Sequence, residues 1–164
     1  ILPDRQEAAK FVRLIPVRQM LISGSNARTA GMSDLVDATI AVARGSSYEE
    51  LLLSYGESRG VELHLRYVPT TADMVEAVAV GTADVTLQDS VLGLLILWEY
   101  PELTLERPVG EIQFLGWATA LGDEELAELL GCFIDYAQER GTWEAYWRDT
   151  YRTGYIDYLE LMGL

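Results

Sequence analysis

Hydrophobic positions along this chain follow two periods, and each change of period marks a change of element. From Thr39 to Ala43 the residues are small and β-branched, as a strand requires, and Gly45 supplies a turn. Ser46 or Ser47 then caps a helix, with Glu49 or Glu50 three positions on; the helix runs from Tyr48 to about Ser58 and closes at Gly60. Val61, Leu63, Leu65 and Tyr67 alternate with Glu62, His64 and Arg66, which predicts a half-exposed strand near a sheet edge. Thr70 with Asp73 reads as a capping box for a helix with Met74, Ala77 and Val78 inside, ended by Gly81. Ala83 to Leu87 is a strand, Gln88-Asp89-Ser90 a turn, and Val91 to about Trp98 an apolar helix. The order is β-α-β-α-β-α, and helical connections of this length predict parallel strands joined by right-handed crossovers.

The flanks are less regular. Pro3 to Lys10 reads as a short helix with acids Asp4 and Glu7 in its opening turns, Val17 to Ile22 as a strand, and Ser23 to Ser33 as a linker. Glu102 to Ile112 reads as irregular acidic chain, and Phe114 to Leu121 as a strand. Asp123 caps an amphipathic helix with Leu126, Leu129, Leu130, Phe133, Ile134 and Ala137 on one face, stopped by Gly141. Thr142 opens another, whose Trp143, Tyr146, Trp147 and Tyr151 at helical spacing are expected to be core.

Composition narrows the classes. A chain of 164 residues suggests one domain, able to bury about two-thirds of its unfolded surface. With 26 acids against 12 bases, a net charge of -14 and Lys10 as the single lysine, no face collects the cations a nucleic-acid binder needs. Val91 to Trp98 is far short of the roughly 20 apolar residues of a membrane helix. Cys132 has no partner for an internal disulfide and is expected to be a small core residue. The sequence begins at Ile1 rather than Met, so a leader or more could have been removed before it.

Chemistry for turnover is sparse. His64, the single histidine, falls on the polar face of its strand and is expected to be solvated. No Cys/His cluster for zinc, calcium loop, Walker lysine or Gly-x-Gly-x-x-Gly occurs, so neither metal nor cofactor is expected, and no catalytic residue is assigned. What remains is binding geometry. Two strand-to-helix junctions, Gly45-Ser46-Ser47 and Gln88-Asp89-Ser90, lie at carboxyl ends of strands in one parallel sheet. The first offers amides, hydroxyls and a helix dipole to an anion, although most such turns simply begin a helix; the second offers a carboxylate. Together they suit a zwitterion, its carboxylate at Ser46 and Ser47 and its ammonium at Asp89.

At these residues the sequence resembles the extracytoplasmic solute-binding proteins of polar amino-acid transporters. The resemblance is carried by Asp34-Leu-Val-Asp-Ala-Thr-Ile-Ala-Val-Ala-Arg-Gly-Ser-Ser, by Gly81-Thr-Ala-Asp-Val-Thr-Leu-Gln-Asp-Ser, and by Gly116-Trp-Ala-Thr-Ala-Leu-Gly-Asp with Gly141-Thr-Trp. It implies an α/β fold of the periplasmic-binding-protein-like type II class: a parallel βαβαβ second lobe, hinge strands, and C-terminal helices of a first lobe present only in its closing part. The implied division is 1–16 as the end of lobe one, 17–121 as lobe two with the hinge strands, and 122–164 returning to lobe one. The resemblance implies a ligand carboxylate on Gly45, Ser46 and Ser47, an amine on Asp89, and Arg5 as the family's carboxylate-gripping arginine. It also implies a periplasmic or extracytoplasmic location and a non-enzymatic role, delivering an amino acid to the membrane permease of an ABC transporter. Two other roles on this fold are a regulatory or sensory module, as beside a lytic transglycosylase or a sensor kinase, and an enzyme like the cyclohexadienyl dehydratases. The apolar faces of the C-terminal helices, without a first-lobe sheet to cover them, are expected to promote self-association.

Overall fold

The computed structural model of the chain describes residues 6–25 and 31–164. They form two compact units: Arg18–Glu111, and the chain up to Val17 together with Ile112–Leu164.

In the first of these, β2 (Gln19–Ser23), β3 (Thr39–Ala43), β4 (His64–Val68), β5 (Val85–Asp89) and β6 (Thr104–Pro108) make a five-stranded sheet in the order β4-β3-β5-β2-β6. The parallel strands expected from the periodicity are there: β3 pairs in parallel with β4 on one side and with β5 on the other. β2 and β6 add an antiparallel half, β2 pairing with both β5 and β6. Thr104–Pro108 is thus a strand rather than irregular chain; charged residues interrupt its pattern because it lies at an edge, where none of its residues is fully buried. β4 is the opposite edge, and His64 on it is exposed. Helices α1 (Ser47–Arg59), α2 (Thr71–Ala79) and α3 (Ser90–Glu99) follow β3, β4 and β5. Leu21, Ile22, Ile40, Val42, Val85 and Leu87 of the sheet are fully buried, against Leu52 of α1 and Met74 of α2. The capping box at Thr70 forms as the sequence predicts: Thr70 Oγ1 accepts from Asp73 N–H at 3.2 Å, and Asp73 Oδ2 accepts from Thr70 N–H at 2.9 Å.

In the other unit, β1 (Lys10–Val17) pairs antiparallel with β7 (Gln113–Thr119), from Lys10 opposite Thr119 to Val17 opposite Gln113. The expected helix ending at Lys10 gives way there to a strand, and the expected strand Val17 to Ile22 is the end of β1 and the start of β2, divided at Arg18. Helix α4 (Glu124–Glu139) packs on β1 and β7, its N-terminus capped by Asp123, whose Oδ1 accepts from Leu126 N–H at 3.2 Å. Lys10 and Glu124 are ion-paired. Helices α5 (Thr142–Tyr151) and α6 (Tyr155–Met162) follow. Trp147 is buried in an aromatic pile, its ring 4.4 Å from Tyr151 and 4.7 Å from both Tyr155 and Tyr158. The Tyr158 hydroxyl donates to the Pro16 carbonyl at 2.6 Å, tying α6 to β1. Tyr146, predicted as core, is 70% exposed, and only Trp147 of that stripe is fully buried. The α4 prediction is also corrected. Ala127, Ile134 and Ala137 form its buried face, while Leu126, Leu129, Phe133 and Cys132 are exposed, because small residues let the helix lie close to the strand pair and turn the larger side chains outward.

Candidate ligand-binding site

The two junctions singled out in the sequence meet where the strand order reverses. β3 leads through α1 to β4 on one side, while β5 lies on its other side, so the carboxyl ends of β3 and β5 flank the topological switch point of the parallel half. β3 and β5 are in register only at Ile40 with Val85 and Ala41 with Thr86. The Thr86 hydroxyl donates to the Ala41 carbonyl at 2.9 Å just before the ladder ends. Beyond it the strands lead separately into α1 and α3.

On the β3 side, Gly45 takes φ +73°, a left-handed turn that explains the glycine. Ser46 is the N-cap of α1: its hydroxyl accepts from Glu49 N–H at 3.2 Å and donates to the Ala43 carbonyl at 2.7 Å. Glu49 reaches back, and its Oε2 accepts from Gly45 N–H at 2.5 Å. The Tyr67 hydroxyl also bonds the Glu49 carboxylate, and the Arg44 guanidinium stacks over the Tyr67 ring at 3.8 Å. The Gly45 amide, then Tyr67, hold Glu49 below the usual carboxylate range, while its bond to Glu49 pushes the Tyr67 phenol up. The junction therefore already carries one carboxylate of its own. Ser47, the first residue of α1 and exposed, is the hydroxyl left facing outward.

On the β5 side, Asp89 ends the strand and occupies the N-cap position of α3, half-buried, without using its side chain as a cap. Tyr48, which the sequence reading missed, joins the two sides. It is the second residue of α1, is 6% exposed, and its hydroxyl accepts from Asp89 N–H at 3.2 Å while bonding the Asp89 carboxyl. Burial raises the Asp89 pKa and the Tyr48 bond opposes that rise; burial and then the Asp89 charge push the Tyr48 phenol up to about 12. The available signal was an aromatic side chain in the first turn of a helix that starts at a strand end. Ser90, after Asp89, is held to the neighbouring strand entry: its amide donates to the Arg18 carbonyl at 2.9 Å, and its hydroxyl accepts from Arg18 N–H at 3.3 Å.

Gly45, Ser46 and Ser47 thus follow the carboxyl end of β3 and Asp89 ends the adjacent β5, on the two sides of the switch point, and Arg5 lies outside the described residues. Among the described residues no group of His, Cys, Asp and Glu is placed to hold a metal ion. A hollow of about 600 Å³ is lined by Leu52, Gly56, Val61 and Tyr67, and none of the junction residues lines it.

The fold is that of the type II periplasmic-binding-protein-like class, an α/β architecture built on this switch point. An arginine-binding protein mutant from T. maritima superposes with a TM-score of 0.75 at 18% identity, over 93% of this chain and 66% of that one. The solute receptor for L-cysteine of Neisseria gonorrhoeae does so with a TM-score of 0.73 at 20% identity, over 92% and 60%. In sequence, the chain is similar to the membrane-bound lytic murein transglycosylase F of Desulfosudis oleivorans, 31% identical over 143 residues, which are 84% of this chain and 31% of that protein. The protein of the same name from Stutzerimonas stutzeri is 30% identical over 171 residues, 97% of this chain and 33% of that protein. The chain spans about a third of the length of these curated relatives. No family model matches it. No helix among the described residues is long and apolar enough to cross a membrane.

Proposed function

We propose that this chain is an extracytoplasmic ligand-binding module that takes an amino acid or similar small zwitterion at the β3/β5 switch point and regulates a murein-cleaving partner domain. The observation that carries the binding reading is the half-buried carboxylate of Asp89, not used to cap its own helix, on a residue whose amide donates to Tyr48 beside the α1 junction. A ligand ammonium pairs with Asp89, and the ligand carboxylate faces Ser47 and the positive end of the α1 dipole. With Glu49 already on the Gly45 amide, the ammonium contact dominates recognition and the anion contact is secondary. The regulatory part of the reading is supported by sequence similarity to proteins named as lytic murein transglycosylases. In this reading the chain binds and does not itself catalyse. A second reading, delivery of the ligand to the permease of an ABC transporter, is supported by the structural likeness to the substrate-binding protein of an amino acid ABC transporter, TM-score 0.72 at 17% identity.

Calorimetry with free amino acids, their amides and their deaminated analogues tests the binding reading. Free amino acids are expected to bind and deaminated analogues much more weakly, with amides in between. Equal affinity for an amino acid and its deaminated analogue would remove Asp89 from recognition. Joining the chain to a murein-cleaving domain separates the two roles: regulation requires that bound amino acid change the cleavage rate.

A further inference from the structure

Two features of Tyr48 set it apart from a packing aromatic. Its ring is buried, yet its hydroxyl lies at Asp89, three residues beyond the last β3/β5 register pair at Ala41 and Thr86. There it meets both the amide and the carboxyl of Asp89. A phenol has one hydrogen and two lone pairs; accepting from the Asp89 N–H leaves that hydrogen for the carboxylate. One side chain from the start of α1 thus holds the backbone of the residue before α3, with its hydroxyl beside that residue's carboxyl. Packing alone would not place the hydroxyl there, since a buried phenol needs only one partner, whatever its source.

We propose that Tyr48 is the positioning residue of the ammonium site: its hydroxyl occupies part of the Asp89 carboxylate and aims the remaining lone pairs into the crevice. This deepens the zwitterion reading and rests on it. The bond also ties the anion side of the crevice to the cation side, since Tyr48 follows Ser47 directly on α1. The distance between a ligand's carboxylate and its ammonium is then selected by a single side chain, favouring α-amino acids over ligands with longer spacing.

The test is Tyr48→Phe, which keeps the ring and removes the hydroxyl, measured by calorimetry alongside Asp89→Asn and the double variant. An α-amino acid and its deaminated analogue serve as probes. Tyr48→Phe is expected to weaken the amino acid on the order of tenfold while leaving the deaminated analogue unchanged, and to add little in the Asp89→Asn background, because the two residues act as one unit. Equal weakening of both probes, or full additivity with Asp89→Asn, would overturn the proposal and make Tyr48 a packing residue. If the wild-type protein itself does not prefer the amino acid over its deaminated analogue, the zwitterion reading fails first and the proposal with it. Should Tyr48→Phe not fold, Asp89→Glu reads the same geometry: with the phenol fixing the carboxylate's place, one added methylene is expected to cost affinity for the amino acid alone, and unchanged affinity would overturn the proposal.

Discussion

Asp89 carries opposed demands, and its protonation shows them. Burial raises its pKa in the folded protein above the ordinary value of about 4 for an unfolded chain. The folded state therefore holds the proton to higher pH, so stability falls as pH rises from that ordinary value to the raised one, and stays lowered above it. Asp89→Asn is expected to raise the thermal midpoint at pH 7, with the gain closing below about pH 4. The same substitution is expected to weaken amino-acid binding by about 1.5–3 kcal/mol, the range for a charge-assisted hydrogen bond. Thermal melts across pH and calorimetry on the same variant check both; a midpoint that falls at pH 7 would mean the carboxylate stabilises the fold. Ser46 and Ser47 divide differently. Ser46 has both hydroxyl contacts committed to the helix start, so Ser46→Ala is expected to cost about 1 kcal/mol of stability by chemical denaturation. Ser47→Ala is expected to leave stability alone and to weaken binding modestly. Asp89 and the serines were legible in the sequence because strand-to-helix junctions bear turn and cap residues at fixed offsets. Tyr48 was not, because its role depends on β5 lying next to β3, a pairing between residues more than 40 positions apart.

At the scale of elements, legibility followed periodicity. The units of β3 to α3 alternate cleanly, since β3 and β5 are buried along nearly their whole length and turn and cap residues mark each junction. β1 and β6 were missed for a shared reason: Lys10, Arg13 and Pro16 in one, Glu106, Arg107 and Pro108 in the other, break the apolar run of strands that are only partly buried. A second consequence of packing concerns Gly56 in α1. Gly to Ala inside a helix ordinarily stabilises, by about 1 kcal/mol of propensity. Here an added Cβ would lie 2.9 Å from the Val61 carbonyl oxygen, where the chain turns back at Gly60 and Val61 N–H donates to the Gly56 carbonyl at 3.0 Å. Backbone cannot yield as a side chain would, so Gly56→Ala is expected to destabilise by about 1–3 kcal/mol. A denaturation midpoint equal to or above wild type would show that the turn after α1 adjusts freely.

Over the molecule as a whole, apolar surface and net charge act against each other. Leu126, Leu129, Phe133 and Tyr136 form a second apolar stripe along α4, at 41–64% exposure, and Trp117 of β7 extends it with its ring 6.2 Å from Phe133. A stripe at that spacing drives burial, at roughly 25 cal/mol per Å² of apolar surface removed from water. Glu125, Glu128, Asp135 and Glu139 flank it on a chain of net charge -14, so two copies brought together through α4 repel. Salt shortens the range of that repulsion to about 8 Å at physiological ionic strength and to about 3 Å at 1 M, while leaving the apolar attraction intact. Self-association through α4 is therefore expected to increase with added salt, the opposite of an interface held by ion pairs. Sedimentation at several concentrations, in low and in high salt, measures it, and Leu129→Ser with Phe133→Ser is expected to abolish the salt-driven species. Association that weakens as salt rises, or that survives the double substitution, would place the contact on another surface and leave the α4 stripe without a part in it.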